Sequence, residues 1–252
     1  MSLLRVAGAA GLAAALAVPV MAEDLTIVYK VAGTSGTGTA TSYYTADKMR
    51  MSDLEHDTIV EYGGDGRIVT IDHKKKEYYE MTPAEMEAAM KALDEQRQKA
   101  SEQMASLPPA LRDKMQAVMG GGGTATVTKG ATRKVAGYDC QDYDISAGEG
   151  LHMKLCATTA IAPPAPNVDY RGAALAPMAA NPMLKGLMNE MKKIQGFSLA
   201  ESSTVRLMGR TGETSKEATE VKKGSIPAST FDVAEITKGY KKVPSPLTRM
   251  AK

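Results

Sequence analysis

Methionine is the residue type of this chain whose abundance and spacing could do chemistry. The sequence has 17 methionines, and most of the clustered ones fall in two segments with helical periodicity. The apolar positions that would line a site on these segments are Met86, Met90, Leu93, Met183, Leu187, Met188 and Met191. Because the methionine side chain is unbranched and polarizable, such a lining could adapt to an acyl chain or another hydrophobic ligand.

Two other interpretations of the methionines stay open. Apolar residues at helical spacing most often pack on a neighbouring sheet as ordinary core, so the helices could fill the interior permanently. Thioether sulfur also binds Cu(I), and Met86 with Met90, or Met188 with Met191, has a spacing that could share an ion. Leucines on the same stripes, and the lack of nearby His or Cys, favour packing over copper.

The other reactive side chains form no catalytic or metal-binding pattern. The three histidines, His56, His73 and His152, fall on different predicted elements without metal-ligand spacing, and we expect them on the surface. Serine is plentiful, but no Gly-x-Ser-x-Gly sequence identifies a nucleophile. We therefore predict a protein that is not an enzyme and has no cofactor and no metal site.

The start of the chain has the order of an export signal. Arg5 supplies a basic residue, the run Val6–Val18 is apolar, and small residues precede a cleavage point after Ala22. The run is shorter than the roughly 20 residues that span a bilayer. We predict a signal peptide over residues 1–22, one domain over residues 23–252, and a periplasmic location without a membrane anchor.

Composition limits the partners that the mature chain could have. The formal net charge of the full sequence is +2, and loss of Arg5 with the signal peptide leaves +1, which gives no general basic field for binding nucleic acid. With no Trp and two Phe, the core must be filled by Leu, Ile, Val, Tyr and Met. We expect a monomer whose partner is a lipid or a lipoprotein.

Short strands open and close the predicted domain. In Leu25–Val31 every second residue is apolar, which is typical of a strand with one buried face. Similar strands are predicted at Thr39–Thr45, Lys48–Ser52, Thr58–Tyr62, Arg67–Asp72 and Glu77–Met81. Strands resume near Thr124 and again over Ser202–Val243.

Two amphipathic helices are predicted between these groups of strands. The first begins at Thr82, whose side chain can cap the helix while Glu85 caps the chain in return. The second runs over about Asn181–Ile194. The segments Gly120–Gly123 and Pro163–Pro166 would allow the two helices to move relative to the sheet.

The two cysteines are predicted to form a disulfide inside one hairpin. Two predicted strands flank the loop Ser146–Gly150. If Cys140 lies opposite Cys156, residues of like character share each face of the hairpin. In that register the opposed charges on the cysteine face are Asp142 with Lys154 and Asp144 with His152.

Several short sequences resemble a family of exported bacterial domains of unknown function. The segments that carry the resemblance are Val135–Ile145, Ile226–Val233, Gly239–Val243, Lys48–Met51 and Lys74–Tyr79. Members look similar in fold to the Lol-type lipoprotein carriers, whose curved antiparallel half-barrel has helices over its concave face. The resemblance implies such a fold, and some relatives bind acyl chains in it.

These observations predict an α+β protein, a curved antiparallel β half-barrel covered by two amphipathic helices. The leading functional hypothesis is non-enzymatic binding of a hydrophobic ligand, such as a lipid or a lipoprotein acyl chain, between the sheet and the helices. The alternatives are a structural or interaction module with a permanently filled core and a methionine-rich Cu(I)-binding protein.

Overall fold

A computed structural model of the chain describes residues 23–33, 36–53, 55–62, 66–108, 125–148, 150–162, 182–207 and 210–246. The strands in these residues form one sheet of 12 strands in the order β12-β6-β5-β4-β3-β2-β1-β11-β10-β9-β8-β7. Neighbouring strands are antiparallel except β12, which lies parallel to β6. The predicted signal peptide and the segments Gly120–Gly123 and Pro163–Pro166 lie outside the described residues.

The first six strands form a meander and the later strands complete the sheet from both ends. The first group is β1 (Leu25–Gly33), β2 (Gly36–Tyr44), β3 (Lys48–Ser52), β4 (His56–Glu61), β5 (Ile68–Asp72) and β6 (Glu77–Met81). The second group is β7 (Ala125–Val135), β8 (Tyr138–Ala147), β9 (Leu151–Thr158), β10 (Phe197–Leu207), β11 (Arg210–Lys223) and β12 (Lys241–Lys242). The predicted bounds of β3 and β6 are confirmed.

The helices in the described residues do not form the two lids that were predicted. They are α1 (Pro83–Ala105), α2 (Pro182–Met191), a 3-10 turn (Ala228–Phe231) and α3 (Val233–Ile236). Helix α1 begins as predicted, because the Thr82 side chain accepts a hydrogen bond from the Glu85 backbone and the Glu85 side chain accepts one from the Thr82 backbone. Each helix in the described ranges is too short or too polar to cross a bilayer.

The predicted α+β half-barrel covered by two amphipathic helices is wrong. The described residues are mostly strand and form one curved open sheet. Helix α2 packs on β7 and β8, whereas most of the described side chains of α1 are exposed and Met86 is half-buried. The predicted stripe on α1 is interrupted by Arg97 and shares the helix with many charged residues, so it does not form a continuous apolar face.

Three groups of buried side chains make the described core. The largest joins β1 and β2 to β8, β9 and β10, with Ile27, Tyr29 and Leu199 among its members. The second lies beneath α2. The third lies beneath the C-terminal segment, where Phe231 and Val233 pack on β4 and β5. The α2 helix and the C-terminal segment therefore cover only parts of the sheet.

Candidate functional site: a polar trough on strands β7 to β11

The β8–β9 hairpin carries the disulfide, but in a register different from the predicted one. Cys140 and Cys156 are bonded, with 5.5 Å between their Cα atoms. The residue opposite Cys156 is Asp142, and the residue opposite Lys154 is Asp144. The register is therefore shifted by two residues. An even shift leaves every side chain on the same face, so the predicted division into a cysteine face and an apolar face is retained.

The cysteine face continues across five strands as three polar rows, because directly opposed residues in an antiparallel ladder share a face. The first row is Asp142, Cys156, Ala200 and Glu217. The second row is Thr128, Asp144, Lys154, Ser202 and Ser215. The third row is Thr126, Ser146, His152, Thr204 and Glu213. Apart from Cys156 and Ala200, every member is charged or carries a hydroxyl or imidazole group.

The five strands curl into a trough, and an arginine on the edge strand bridges its two sides. In a flat sheet β7 and β11 would lie about 19 Å apart, four strand spacings, but their Cα atoms approach within 8 Å. At this approach Arg133 Nη1 lies 2.8 Å from Glu217 Oε2, and Arg133 Nε lies 3.1 Å from Asp142 Oδ1. Because both carboxylates belong to the first row, the polar face is the concave one. We call this contact the Arg133 clasp and the concave surface the polar trough.

Two cavities lie in the trough, one on each side of the contact between His152 and Asp144. The larger has a volume of about 410 Å³ and is lined by first-row and second-row residues together with Arg133, Glu201 and Lys216. The smaller has a volume of about 280 Å³ and is lined by third-row residues and Arg206. His152 lines the smaller cavity and Asp144 the larger one, and His152 Nε2 lies 2.8 Å from Asp144 Oδ1.

The charges of the trough are arranged so that most of them are paired. Burial alone would lower the pKa of Arg133, but the hydrogen bonds that it donates to Glu217 and Asp142 raise the pKa above its ordinary value. On the other face of β10 and β11, Lys216 Nζ lies 3.0 Å from Glu201 Oε2 and 5.6 Å from the centre of the Tyr29 ring. The trough can therefore present both signs of charge and hydroxyl groups to a ligand.

On β8 and β9 the opposite side of the sheet is apolar, and α2 packs against it. Leu187 is fully buried and Met191 nearly so, and both pack with Ile145, Leu155 and Ala157. Met188 is half-buried. Leu187 and Met191 of the predicted hydrophobic lining therefore lie in this core, and the predicted site as a whole stays a prediction. The side chains of Met90, Leu93 and Met183 lie outside the described part of the structure.

A second charged cluster holds the C-terminal segment against the N-terminal meander. The Asp57 carboxylate is 0% exposed and lies 2.6 Å from Arg50 Nη2 and 3.2 Å from His73 Nε2. His73 Nδ1 lies 3.0 Å from the Tyr240 hydroxyl, and Arg50 donates a hydrogen bond of 2.7 Å to the carbonyl oxygen of Thr230. Of the three histidines expected on the surface, His56 and His152 are exposed and His73 is half-buried.

Sequence reasoning found part of the trough without recognising it as a site. The alternation of Asp142, Asp144 and Ser146 with apolar residues on β8 is visible in the sequence, and so is that of His152 and Lys154 on β9. The alternation could not predict the strand order that places β10 and β11 next to this hairpin in the trough. In the described ranges no three His, Cys, Asp or Glu side chains are grouped closely enough to hold a metal ion.

The fold and the trough together define a β-rich protein with one curved sheet and an open, polar concave surface. The sequence over residues 27–235 matches the family described as a domain of unknown function (DUF4412). Because this match covers most of the chain, the chain belongs to that family, and the predicted membership of a family of unknown function is confirmed. None of the curated proteins compared with the chain matches it.

Solved structures with a similar arrangement come from other bacterial proteins. One is an uncharacterized conserved protein from Thermus thermophilus, with 6% identity, a TM-score of 0.45, and coverage of 89% of this chain and 92% of that one. Another is MucB, with 10% identity, a TM-score of 0.33, and coverage of 83% and 56%. The MucA/MucB complex of Pseudomonas aeruginosa gives 9% identity, a TM-score of 0.30, and coverage of 83% and 55%. Scores below 0.5 assign no function to this chain.

Proposed function

We propose that this chain is a non-enzymatic binding protein of the bacterial envelope that holds an extended polypeptide segment in the polar trough. The observation that carries the proposal is the approach of β7 to β11, bridged by the Arg133 clasp, which makes the five strands a concave surface with charges of both signs. A location outside the cytoplasm is supported by the export-type start of the sequence and by the bonded cysteines Cys140 and Cys156.

The spacing of the three rows suits an extended chain. Adjacent rows are two residues apart along each strand, which is about 6.6–6.8 Å. In an extended peptide the side chains that point to one side repeat at the same interval, because successive side chains alternate. A segment lying parallel to the strands would therefore place one side chain against each row.

The chemistry of the rows favours polypeptide over an acyl chain or a sugar. Carboxylates, cations and hydroxyls can bond to peptide groups and charged side chains, whereas an acyl chain would leave them desolvated and unpaired. No member of the three rows is an aromatic residue that could stack on a sugar ring.

The earlier hypothesis of a hydrophobic ligand next to the helices stays a prediction. It has the same class of function, non-enzymatic binding, and differs in the face of the sheet and in the ligand. The packing of Leu187 and Met191 on the second core cluster supports the alternative in which the helix residues are permanent core. The two hypotheses can be separated with one set of probes.

The test measures binding of defined peptides and of palmitate to the exported, disulfide-bonded protein. The peptides are 12-residue sequences of three kinds: alternating Glu, Lys and Thr; Ser and Ala only; and Leu-rich. We expect the mixed-charge peptide to bind, with fluorescence anisotropy as the readout, and palmitate to give no increase in melting temperature. Binding of palmitate without any peptide binding would overturn the proposal.

A matched pair of variants connects the result to the trough. Arg133→Gln opens the clasp, and we expect it to weaken peptide binding about tenfold, which corresponds to roughly 1.4 kcal/mol. Lys134→Gln is the control, because Lys134 is the next residue along β7 and pairs with the exposed Asp139. Equal effects of the two substitutions would place the binding outside the trough.

A further inference from the structure

We infer that Lys154 selects the partner segment by pairing with one of its carboxylates at the second row. The inference rests on the proposed function, because it names the chemistry that a polypeptide must bring to the same trough. Lys154 lines the larger cavity, and its side chain is exposed to solvent.

The pairing of charges in the trough singles out this lysine. In the described part of the chain, Arg133 and Lys154 are the cations whose side chains lie on the trough face at the larger cavity. Lys216 also borders the cavity, but it lies opposite Glu201, so its side chain is on the other face of the sheet. Arg133 is held by two carboxylates, at 2.8 and 3.1 Å, and Lys216 is held by Glu201 at 3.0 Å. Lys154 has no carboxylate of the described residues within ion-pair distance, because its opposed residue Asp144 is bonded to His152 instead.

The neighbours of Lys154 add donors that suit a carboxylate. Ser202 lies opposite Lys154 on β10, and Ser215 lies opposite Ser202 on β11. A hydroxyl can donate to an anion, and a lysine ammonium supplies up to three further donors around a point charge. Asp144 lies opposite Lys154, but the two make no ion pair, so the ammonium group is open to an incoming carboxylate.

The rows on either side extend this recognition to a short pattern. The first row is small and apolar on β9 and β10, where Cys156 and Ala200 are only 1% and 5% exposed, so a ligand meets little surface and no polar side chain there. In the third row Ser146, His152 and Thr204 offer polar groups. A segment with a small apolar residue, an acidic residue and a polar residue at alternate positions, in either chain direction, would meet the three rows in order.

The test is a charge swap between protein and peptide. Three 12-residue peptides differ only in a central Glu, Gln or Lys, with Ala two residues to one side and Ser two residues to the other. For the wild-type protein we expect affinity to fall from Glu to Gln to Lys, by about tenfold overall. For Lys154→Glu the order should reverse, with the Lys peptide bound most tightly.

Two further variants protect the interpretation. Lys74→Glu makes the same change of net charge in an exposed turn between β5 and β6, far along the sheet from the trough, and should keep the wild-type order. Lys154→Gln removes the charge without reversing it and should abolish the discrimination among the Glu, Gln and Lys peptides. This variant replaces Lys154→Glu in the test if Lys154→Glu does not fold.

The outcomes separate this inference from the proposed function. If the wild-type protein binds the three peptides equally while Arg133→Gln weakens all of them, Lys154 is not the selecting residue and the trough remains a peptide site. If the order is unchanged in Lys154→Glu, the inference is likewise overturned. If no peptide binds at all, both the inference and the proposed function fall.

Discussion

Asp57 is a buried carboxylate whose partners connect the N-terminal meander to the C-terminal segment. Its carboxylate is fully buried on β4 and is met by Arg50 from β3 and by His73 from the turn after β5. Arg50 also reaches the carbonyl oxygen of Thr230, so the carboxylate indirectly fixes the C-terminal segment. Removing one member of a buried pair costs more than the pair contributes, because the other charge is left without a partner.

Asp57→Asn is therefore expected to lower the free energy of unfolding by about 3 kcal/mol. The matched control is Asp139→Asn, whose carboxylate is 75% exposed and pairs with the exposed Lys134. Surface pairs of this kind contribute little, so the control should change stability by less than about 0.5 kcal/mol. Urea unfolding followed by far-UV circular dichroism measures both, and a similar small effect for the two variants would show that Asp57 is not structurally important.

At the scale of elements, the two main helices form for different reasons. Helix α1 has a capping box at Thr82 and Glu85 and a sequence rich in Ala, Glu, Lys and Gln, all strong helix formers. Helix α2 has only ten residues, too few to be stable alone in water, and it is held by its apolar face on the sheet. From sequence periodicity both helices were predicted to pack on the sheet. Periodicity reflects the spacing of apolar residues along a helix, but it does not show which surface, if any, the helix contacts.

This difference predicts unequal effects of truncating one apolar residue on each helix. Leu187→Ala on α2 removes a fully buried side chain from the second core cluster and should cost about 2–5 kcal/mol. Met86→Ala on α1 removes a half-buried side chain and should cost less than about 1 kcal/mol. Thermal unfolding of the two variants provides the comparison, and a Met86 effect as large as the Leu187 effect would mean that α1 also packs as core.

At the same scale, local patterns were sufficient where the contacts are local. The bounds of β3, the helix start at Thr82 and the bond between Cys140 and Cys156 all depend on residues close in sequence. The sequence pattern does not distinguish the predicted hairpin register from the observed one. The two differ by two residues, and a shift of two residues leaves the alternation of polar and apolar side chains unchanged. Helix α2 was found but placed on the wrong face, since nothing in its sequence specifies which side of the sheet it covers.

At the scale of the whole molecule, the two parts of the sheet are joined by the pairing of β1 with β11, which the local sequence pattern does not predict. Strand β1 pairs with β2 on one side and with β11 on the other, so Leu25 lies opposite both Tyr44 and Lys223. This pairing connects the N-terminal meander to the strands of the trough, and the largest core cluster lies at the connection. Short-range patterning could predict strands on both sides but not this order, on which the trough depends.

Two buried phenols at this connection make the stability of the whole sheet sensitive to alkaline pH. Burial raises the pKa of Tyr29 well above its ordinary value of 10.0, and nearby Tyr44 raises it further. Burial likewise raises the pKa of Tyr44, although Lys216 and the hydrogen bonds with Ser42 and Tyr29 partly oppose the increase. In both cases the folded protein holds the phenolic proton more tightly than the unfolded chain does.

The sign of the pH effect follows from that comparison. A raised folded-state pKa contributes its full stability below the unfolded pKa of about 10 and loses it as pH rises through the interval up to the folded pKa. In that interval each of the two tyrosines should contribute a decrease of about 1.4 kcal/mol per pH unit. Tyr29→Phe should therefore lower stability at neutral pH by about 1 kcal/mol, the cost of one hydrogen bond, and reduce the decline at alkaline pH.

Lysines also titrate in the alkaline range, so the informative quantity is the difference in unfolding free energy between the wild type and Tyr29→Phe. Urea denaturation from about pH 7 to about pH 11 measures this difference across the unfolded pKa of tyrosine. We expect the difference to shrink as pH rises, because only the wild type loses the contribution of the Tyr29 proton. A difference that stays constant would show that Tyr29 ionises in the folded protein as readily as in the unfolded chain, and that the connection between β1 and β11 is open to water.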